Sequence, residues 1–202
     1  MRTEADMSVK IDDQLADKIR QGFKVLNKFM VLMWRLGFGF WFNKWPEGWG
    51  QIMVITHTGR KSGLKYRTPV NYAIIDGEVY CIAGFGKISD WYRNLLANPE
   101  IEIWLPDGWW QGVVEDVSQT SNRVQIMRAV VTASGFAGSL FGVDPKKLDD
   151  HALKELTQNY QVLRIHRTRA LTGPGGPGEL GWIWQVATFI LLPMVICRNR
   201  RK

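Results

Sequence analysis

An antiparallel β-barrel or sandwich of six short strands, with a helix before it and helices inserted into it, is the fold this sequence predicts. That places it among mainly β proteins of the α+β class. Three observations carry the prediction. From Gln51 onward, β-branched and aromatic residues come in short runs cut by turn residues. Asp76-Gly77 and Pro106-Asp107-Gly108 each stand between two such runs, and Asp-Gly is a strong hairpin signal because both residues tolerate positive φ. Upstream, Leu15, Ile19, Phe23, Leu26, Met30 and Met33 recur at steps of four and three, the apolar face of an amphipathic helix.

That helix is expected from Asp13 to Arg35. Val25, Phe29, Leu32 and Leu36 add a second apolar stripe to its later half, so both sides of it are expected to be buried. Gly37 to Trp45 then loses the helical period and gains glycine, which makes it an apolar connector. The strands are expected at Gln51–His57, Tyr66–Ile74, Glu78–Ala83, Glu100–Leu105, Trp109–Val117 and Gln161–Arg167. Ser89 or Asp90 is placed to cap a short helix running to Ala97 and stopped by Asn98-Pro99. Ser121–Thr132 and Pro145–Asn159 read as two more helices before the last strand. Gly173 to Gly178 is a glycine- and proline-rich turn ahead of an apolar tail. The chain therefore divides into an N-terminal helical extension (1–50), a barrel domain (51–172) and a tail (173–202).

A length of 202 residues suits one well-buried core better than two domains and a linker. The net charge of +7 calls for an anionic partner without choosing among nucleic acid, lipid and a phosphorylated cofactor. Charge gathered in one loop and the tail, instead of along a stripe, argues against specific nucleic-acid binding. Two cysteines, Cys81 and Cys197, form neither a CxxC pair nor a disulfide framework, which fits a reducing, cytoplasmic setting. The first residues lack the apolar stretch of a secretory signal.

Two segments carry the chemistry. Thr56 to Pro69 joins two strands and sets Arg60, Lys61, Lys65 and Arg67 around Gly59, Gly63 and small hydroxyls. Arginine forks and lysine charges bind phosphate or carboxylate, and glycine lets backbone N–H groups approach, so the loop reads either as an anion cradle or as a solvated basic turn. It is not a nucleotide-binding P-loop, because the lysine does not follow a Gly-x-x-x-x-Gly spacing. In Ile82 to Asn94 a strand ends in a glycine-rich bend and opens a helix, whose free N–H groups favour an anion and to which Lys87 adds charge. Ala83, Gly84 and Gly86 leave room for a planar ring on the backbone. His57, His151 and His166 are too scattered for a metal site, and Asp149-Asp150 reads as a helix-start cluster. No catalytic residue is assigned, so catalysis would depend on a bound cofactor.

Thr58–Gly63 and Asp90–Leu95, the latter followed by Ala97-Asn98-Pro99, together resemble the deazaflavin (F420)-dependent nitroreductase family over Met53 to Trp110. The resemblance implies a flavin-reductase-like split β-barrel and an oxidoreductase in which reduced F420 delivers a hydride. It implies that Arg60, Lys61, Ser62, Gly63, Lys65 and Arg67 hold the phosphate and glutamate tail. Ile82, Ala83, Gly84 and Phe85 would lie along the ring, Lys87 would add charge, and Asp90, Trp91, Tyr92 and Asn94 would close the site. Phe85 stands where that family often has lysine, and Tyr66 where it often has arginine. The implied substrate is small and apolar. FMN is the alternative cofactor, and a non-catalytic lipid or fatty-acid binder on the same barrel is the alternative function.

Trp182 to Cys197 is apolar apart from Gln185, Thr188 and Pro193, and Arg198-Asn-Arg-Arg-Lys202 follows it. It is too short to span a bilayer comfortably, so a membrane contact there is expected to be peripheral, on the inner face. Packing of this tail on the Phe29–Trp45 stretch, as core or as a dimer interface, is the expectation placed ahead of it.

Overall fold

The computed structural model describes residues 22, 25–44, 50–135, 148–174 and 176–199. Helix α1 occupies residues 25–35; the part of the predicted helix from Asp13 to position 21 lies outside the described residues. A short helix, α2 (Gly39–Phe42), interrupts the connector. The six strands are β1 (Ile52–Thr58), β2 (Lys65–Ile75), β3 (Glu78–Ala83), β4 (Glu100–Leu105), β5 (Gly108–Asp116) and β6 (Gln161–Ala170). Each predicted strand is present: β3 and β4 have the predicted bounds, β1, β2 and β5 differ by one residue at each end, and β6 runs three residues further. They close into one antiparallel barrel in the order β1-β2-β3-β6-β5-β4. Asp76 (φ 52) and Gly77 (φ 83) are both left-handed, the turn expected of an Asp-Gly hairpin.

Alternation sorts the strand residues between two sides. Met53, Ile55, Val79, Cys81, Ile101, Ile103, Leu163 and Ile165 fill the barrel, and Tyr92 and Leu95 of α3 (Asp90–Ala97) close one end of that core. The opposite side of β2, β3 and β6 packs under α4 (Arg123–Ala133) and α5 (Asp150–Leu156), with Met127, Val130, Leu153 and Val162 buried between them. Asp149 caps α5 by accepting from the Ala152 N–H (2.7 Å), and Asp150 pairs with Arg128 (2.8 Å), so the acidic pair does start a helix. The first three residues of the predicted Pro145–Asn159 helix, 145–147, lie outside the described residues.

On the outer side of β1 and β4, Trp34 of α1 is fully buried against Val54 and Trp104. Asn43 fastens the segment: its amide donates to the Ile52 carbonyl (2.9 Å) and its Oδ1 accepts from the Ile52 N–H (3.0 Å). The expected burial of both α1 stripes is not met. Val25, Leu26, Phe29 and Leu32 are exposed, because Trp34 and its neighbours make the contact with the barrel and no described element covers the other side. The apolar tail forms α6 (Trp182–Asn199), which continues through Pro193. Among the described residues it meets the segment between α1 and α2 at its start, through Trp184 on Leu36 and Phe38, so the expectation of a buried core is corrected for residues 185, 186 and 188–194.

Candidate functional site

One end of the barrel collects the C-terminal ends of β1, β3 and β5 and the N-terminal ends of β2, β4 and β6. The basic loop between β1 and β2, the Gly84–Ser89 bend and α3 all meet there. The loop is tight: the Gly59 N–H donates to the Leu64 carbonyl and the Gly63 N–H to the Gly59 carbonyl, each at 2.8 Å. A Cβ on Gly59 would sit 2.6 Å from Ser62 Oγ and from the Tyr66 ring, so a larger residue there would push these two side chains aside. Ser62 Oγ and Tyr66 Oη lie 3.0 Å apart.

Arg60 joins the loop to the helix. Its backbone N–H donates to Asn94 Oδ1 (3.2 Å), Nη1 donates to the same oxygen (2.8 Å), and Nη2 donates to Asp90 Oδ1 (2.8 Å). The Arg60 hydrogen bond, and then its charge, hold the Asp90 carboxyl below the usual carboxylate range. The network continues inward. The Asn94 amide donates to His57 Nδ1 (3.4 Å), which leaves the proton on Nε2 to be donated to Thr68 Oγ1 (3.1 Å). His57 is buried at the barrel mouth, and burial pulls its pKa down to about 4. The Tyr66 ring stacks on it at 5.9 Å.

The other cations of the loop take separate directions. Lys65 pairs with Glu102 (2.7 Å), while Arg67 pairs with Glu179 (3.5 Å) and lies over the Trp104 ring at 4.8 Å. Both belong to the outer side of the barrel, the side of Val54 and Trp104. The Lys61 ammonium is exposed, and among the described residues it has no hydrogen bond or ion pair. Beside Lys65, a groove of about 490 Å³ is lined by Thr56, Thr58, Glu102, Gln111 and Thr168, and the Thr56 hydroxyl there has no partner.

The bend after β3 divides in the same way. The Ile82 side chain packs in the outer cluster under α4 and α5, and Ala83 faces the barrel core. Gly84, Phe85 and Lys87 are exposed at the mouth. A Cβ on Gly86 (φ 59) would lie 2.3 Å from the Asn159 carbonyl oxygen, so the bend sits against the turn that leads into β6. Ser89 occupies the N-cap of α3, yet its Oγ makes no capping bond and is buried without a partner. Trp91 and Tyr92 pack on the barrel core. The Tyr92 hydroxyl donates to Asp116, which Ser118 also contacts; burial raises the Asp116 pKa, but these hydrogen bonds outweigh it and hold the carboxyl low. Burial and the bond to Asp116 raise the Tyr92 phenol, so it holds its proton.

The structure thus brings Arg60, Lys61, Ser62, Gly63, Gly84, Phe85, Lys87, Asp90 and Asn94 to one mouth, and sets Lys65, Arg67 and Ile82 on the outer side. Sequence reasoning treated His57 as a structural or rim residue and missed its link to Arg60. The signal was available: Met53, Ile55 and His57 share one face of β1, which directs the imidazole inward at the strand's end.

The family of F420H(2)-dependent quinone reductases matches residues 41–139, a span that holds both motif segments. On that match the chain is an F420H2-dependent oxidoreductase whose cofactor is coenzyme F420, and the family it matches is named for quinone reduction instead of nitro reduction. No curated protein matches the chain. Among solved structures, a conserved hypothetical protein from Mycobacterium tuberculosis is 19% identical with a TM-score of 0.45, covering 62% of this chain and 78% of its own. An F420-H2 dependent reductase is 19% identical at a TM-score of 0.42, covering 57% of this chain and 94% of its own. A heme storage protein from Vibrio cholerae is 14% identical at 0.44, covering 68% and 93%. Likenesses this distant do not bear on function.

The residues at the mouth fit the cofactor's chemistry. Lys61 offers an exposed cation to a phosphate or carboxylate tail, and a Cβ at Gly84 would meet nothing closer than 3.9 Å, so backbone is open there to a flat ring.

Proposed function

Taking the match to F420H(2)-dependent quinone reductases as premise, we propose that this chain passes hydride from reduced F420 to a small, apolar acceptor of the quinone class. The setting is cytoplasmic, at the inner face of the membrane. Residues 51–172 form the cofactor-binding barrel, with 1–50 and 173–202 as additions to it. One observation carries the reading. The two motif segments, thirty positions apart, are bonded through Arg60 to Asp90 and Asn94 at a single barrel mouth where, among the described residues, the exposed Lys61 has no hydrogen bond or ion pair.

Bound F420 supplies the hydride. The chain's own part is to hold, orient and shield. Arg60 and Lys61 hold the anionic tail, with the Ser62 hydroxyl and the Gly63 backbone beside them, and Lys65 and Arg67 extend the positive potential along the outer side. Ala83 to Phe85 give the ring a surface with little side-chain bulk, to which Ile82 contributes backbone alone. Lys87 adds a cation at that bend, and Asp90, Trp91, Tyr92 and Asn94 fix the helix that closes the mouth. His57 is neutral near pH 7 and bonded on both ring nitrogens, so it positions Asn94 and is not a proton donor.

Titration with F420, followed by quenching of tryptophan fluorescence and with FMN as the comparison, tests the reading. Saturation by F420 and a much weaker response to FMN are expected. Lys61→Ala is expected to weaken F420 binding about tenfold, or ~1.4 kcal/mol, with an unchanged melting temperature. A saturable response to FMN alone, or none to either, would overturn the assignment.

A further inference from the structure

We propose that α6, with the exposed apolar residues of α1 and α2, is a docking surface for an anionic lipid bilayer, with α6 lying at the boundary between headgroups and acyl chains. Among the described residues, helix α6 is tied to the protein at its beginning. The Leu180 N–H donates to the Arg35 carbonyl (2.9 Å), Trp184 Nε1 donates to the Leu36 carbonyl (3.1 Å), and the Trp184 ring meets Phe38 edge-on at 5.1 Å. Beyond this attachment, Gln185, Val186 and every residue from Thr188 to Met194 are exposed, Phe189 by 81%. Seven consecutive exposed positions point in all directions around a helix with 3.6 residues per turn. Six of the seven are apolar, and the Thr188 hydroxyl is bonded to the Trp184 carbonyl (2.8 Å).

A helix that is apolar all round needs apolar surroundings all round. One partner helix from a second copy would cover a single face and leave the rest in water, whereas acyl chains cover them all. The start of α6 adds to the case. Trp182, Trp184 and Trp41 are exposed there, and tryptophan favours the headgroup level. The Lys44 ammonium lies 4.7 Å above the Phe40 ring and 4.9 Å above the Trp41 ring, a charge next to apolar surface. Val25, Phe29 and Leu32 of α1 are exposed as well. Charge selects among membranes: Arg198-Asn-Arg-Arg-Lys202 and a net +7 repel a second copy of the chain and attract anionic headgroups. Length selects the mode of contact. The 18 residues of α6 extend about 27 Å, and among the described residues no helix is long and apolar enough to cross a membrane. Docking of this kind brings the barrel to the phase in which an apolar quinone dissolves; that consequence, unlike the surface itself, rests on the functional reading above.

Flotation of the full chain with phosphatidylcholine vesicles, with and without added phosphatidylglycerol, tests the surface. Binding is expected to be at least about tenfold tighter on the anionic vesicles, and to fall by at least about tenfold in Phe189→Asp/Leu192→Asp. The same variant should bind F420 as the parent does. Equal flotation of parent and variant would overturn the proposal. So would a parent that fails to float and sediments as a dimer which the variant dissociates. Flotation that depends on Phe189 and Leu192 in a chain that ignores F420 would leave the lipid surface standing and sink the cofactor reading alone.

Discussion

The two ends of the barrel are closed by the same kind of bond. At one end Arg167 Nη1 meets Asp107 Oδ2 at 2.8 Å, and at the other Arg60 Nη2 meets Asp90 Oδ1 at 2.8 Å. What surrounds each pair differs. Arg167 also donates to the Gly77 carbonyl (3.1 Å) and lies 5.0 Å from the centre of the Trp110 ring, whose indole N–H is taken by Asp107 (3.1 Å). It ties two hairpin turns together. Around Arg60, Lys61 has no hydrogen bond or ion pair among the described residues, and Ser89 Oγ is buried without a partner. Buried atoms without a partner occur toward the first end as well, at Trp104 Nε1 and Trp109 Nε1, so it is the exposed charge of Lys61 that sets the second end apart as a place for an anion.

The largest expected effect tests whether the open end is also where acid attacks. His57 has its pKa lowered from 6.5 to about 4, so the unfolded chain binds a proton that the folded chain refuses as pH falls below 6.5. Stability contributed by the neutral, buried ring is therefore complete above pH 6.5 and lost on going down toward 4. The loss is about 2 kcal/mol between pH 7 and 5, nearing ~3 kcal/mol by pH 4. Urea unfolding at a series of pH values measures it, and His57→Gln should flatten the curve across pH 7 to 5. An unchanged slope in the variant would assign the acid sensitivity to another group.

The exchange experiment is next in size. Arg167→Ala strips a half-buried pair, a carbonyl bond and a ring contact, and should lower stability by about 2 kcal/mol while leaving the F420 titration unchanged. Arg60→Ala should do the reverse, costing less stability and weakening F420 binding by on the order of a hundredfold, ~2.8 kcal/mol. If Arg167→Ala weakens F420 binding as much as Arg60→Ala does, the contrast between the two ends fails.

Much of the closed end was legible in the sequence. Asp76-Gly77 and Pro106-Asp107-Gly108 fix turns by local backbone chemistry, and strand alternation then orients what flanks them. The motif segments at the open end were legible too, but not the partner each cation takes. Arg60 reaches Asp90 across thirty positions and Lys65 reaches Glu102 across thirty-seven, and such pairs are decided by barrel closure. The cap on α3 shows the limit of a local rule: Ser89 stands at the capping position, yet its hydroxyl is turned away from the helix N–H groups. The second apolar stripe of α1 shows another. Periodicity states that a face avoids water but not whether the chain provides its cover, and here Trp34 takes the contact while Phe29 and Leu32 face outward.

The smallest effect is the sharpest test of the open end. Asp90 places a carboxylate against the arginine that is to hold an anionic tail, so it acts in two opposed ways. It aligns the guanidinium, and it cancels part of its charge. Asp90 is exposed and the Asn94 oxygen already receives both the Arg60 N–H and Nη1, so alignment survives when the carboxylate becomes an amide. The cancelled charge is then restored. Asp90→Asn should therefore tighten F420 binding by roughly threefold, ~0.7 kcal/mol, at low salt, with the gain shrinking as salt screens the site. Fluorescence titration at two ionic strengths measures both. Weaker binding in Asp90→Asn at either salt would make the carboxylate part of the grip and the Arg60–Asp90 pair as closed a unit as Arg167–Asp107.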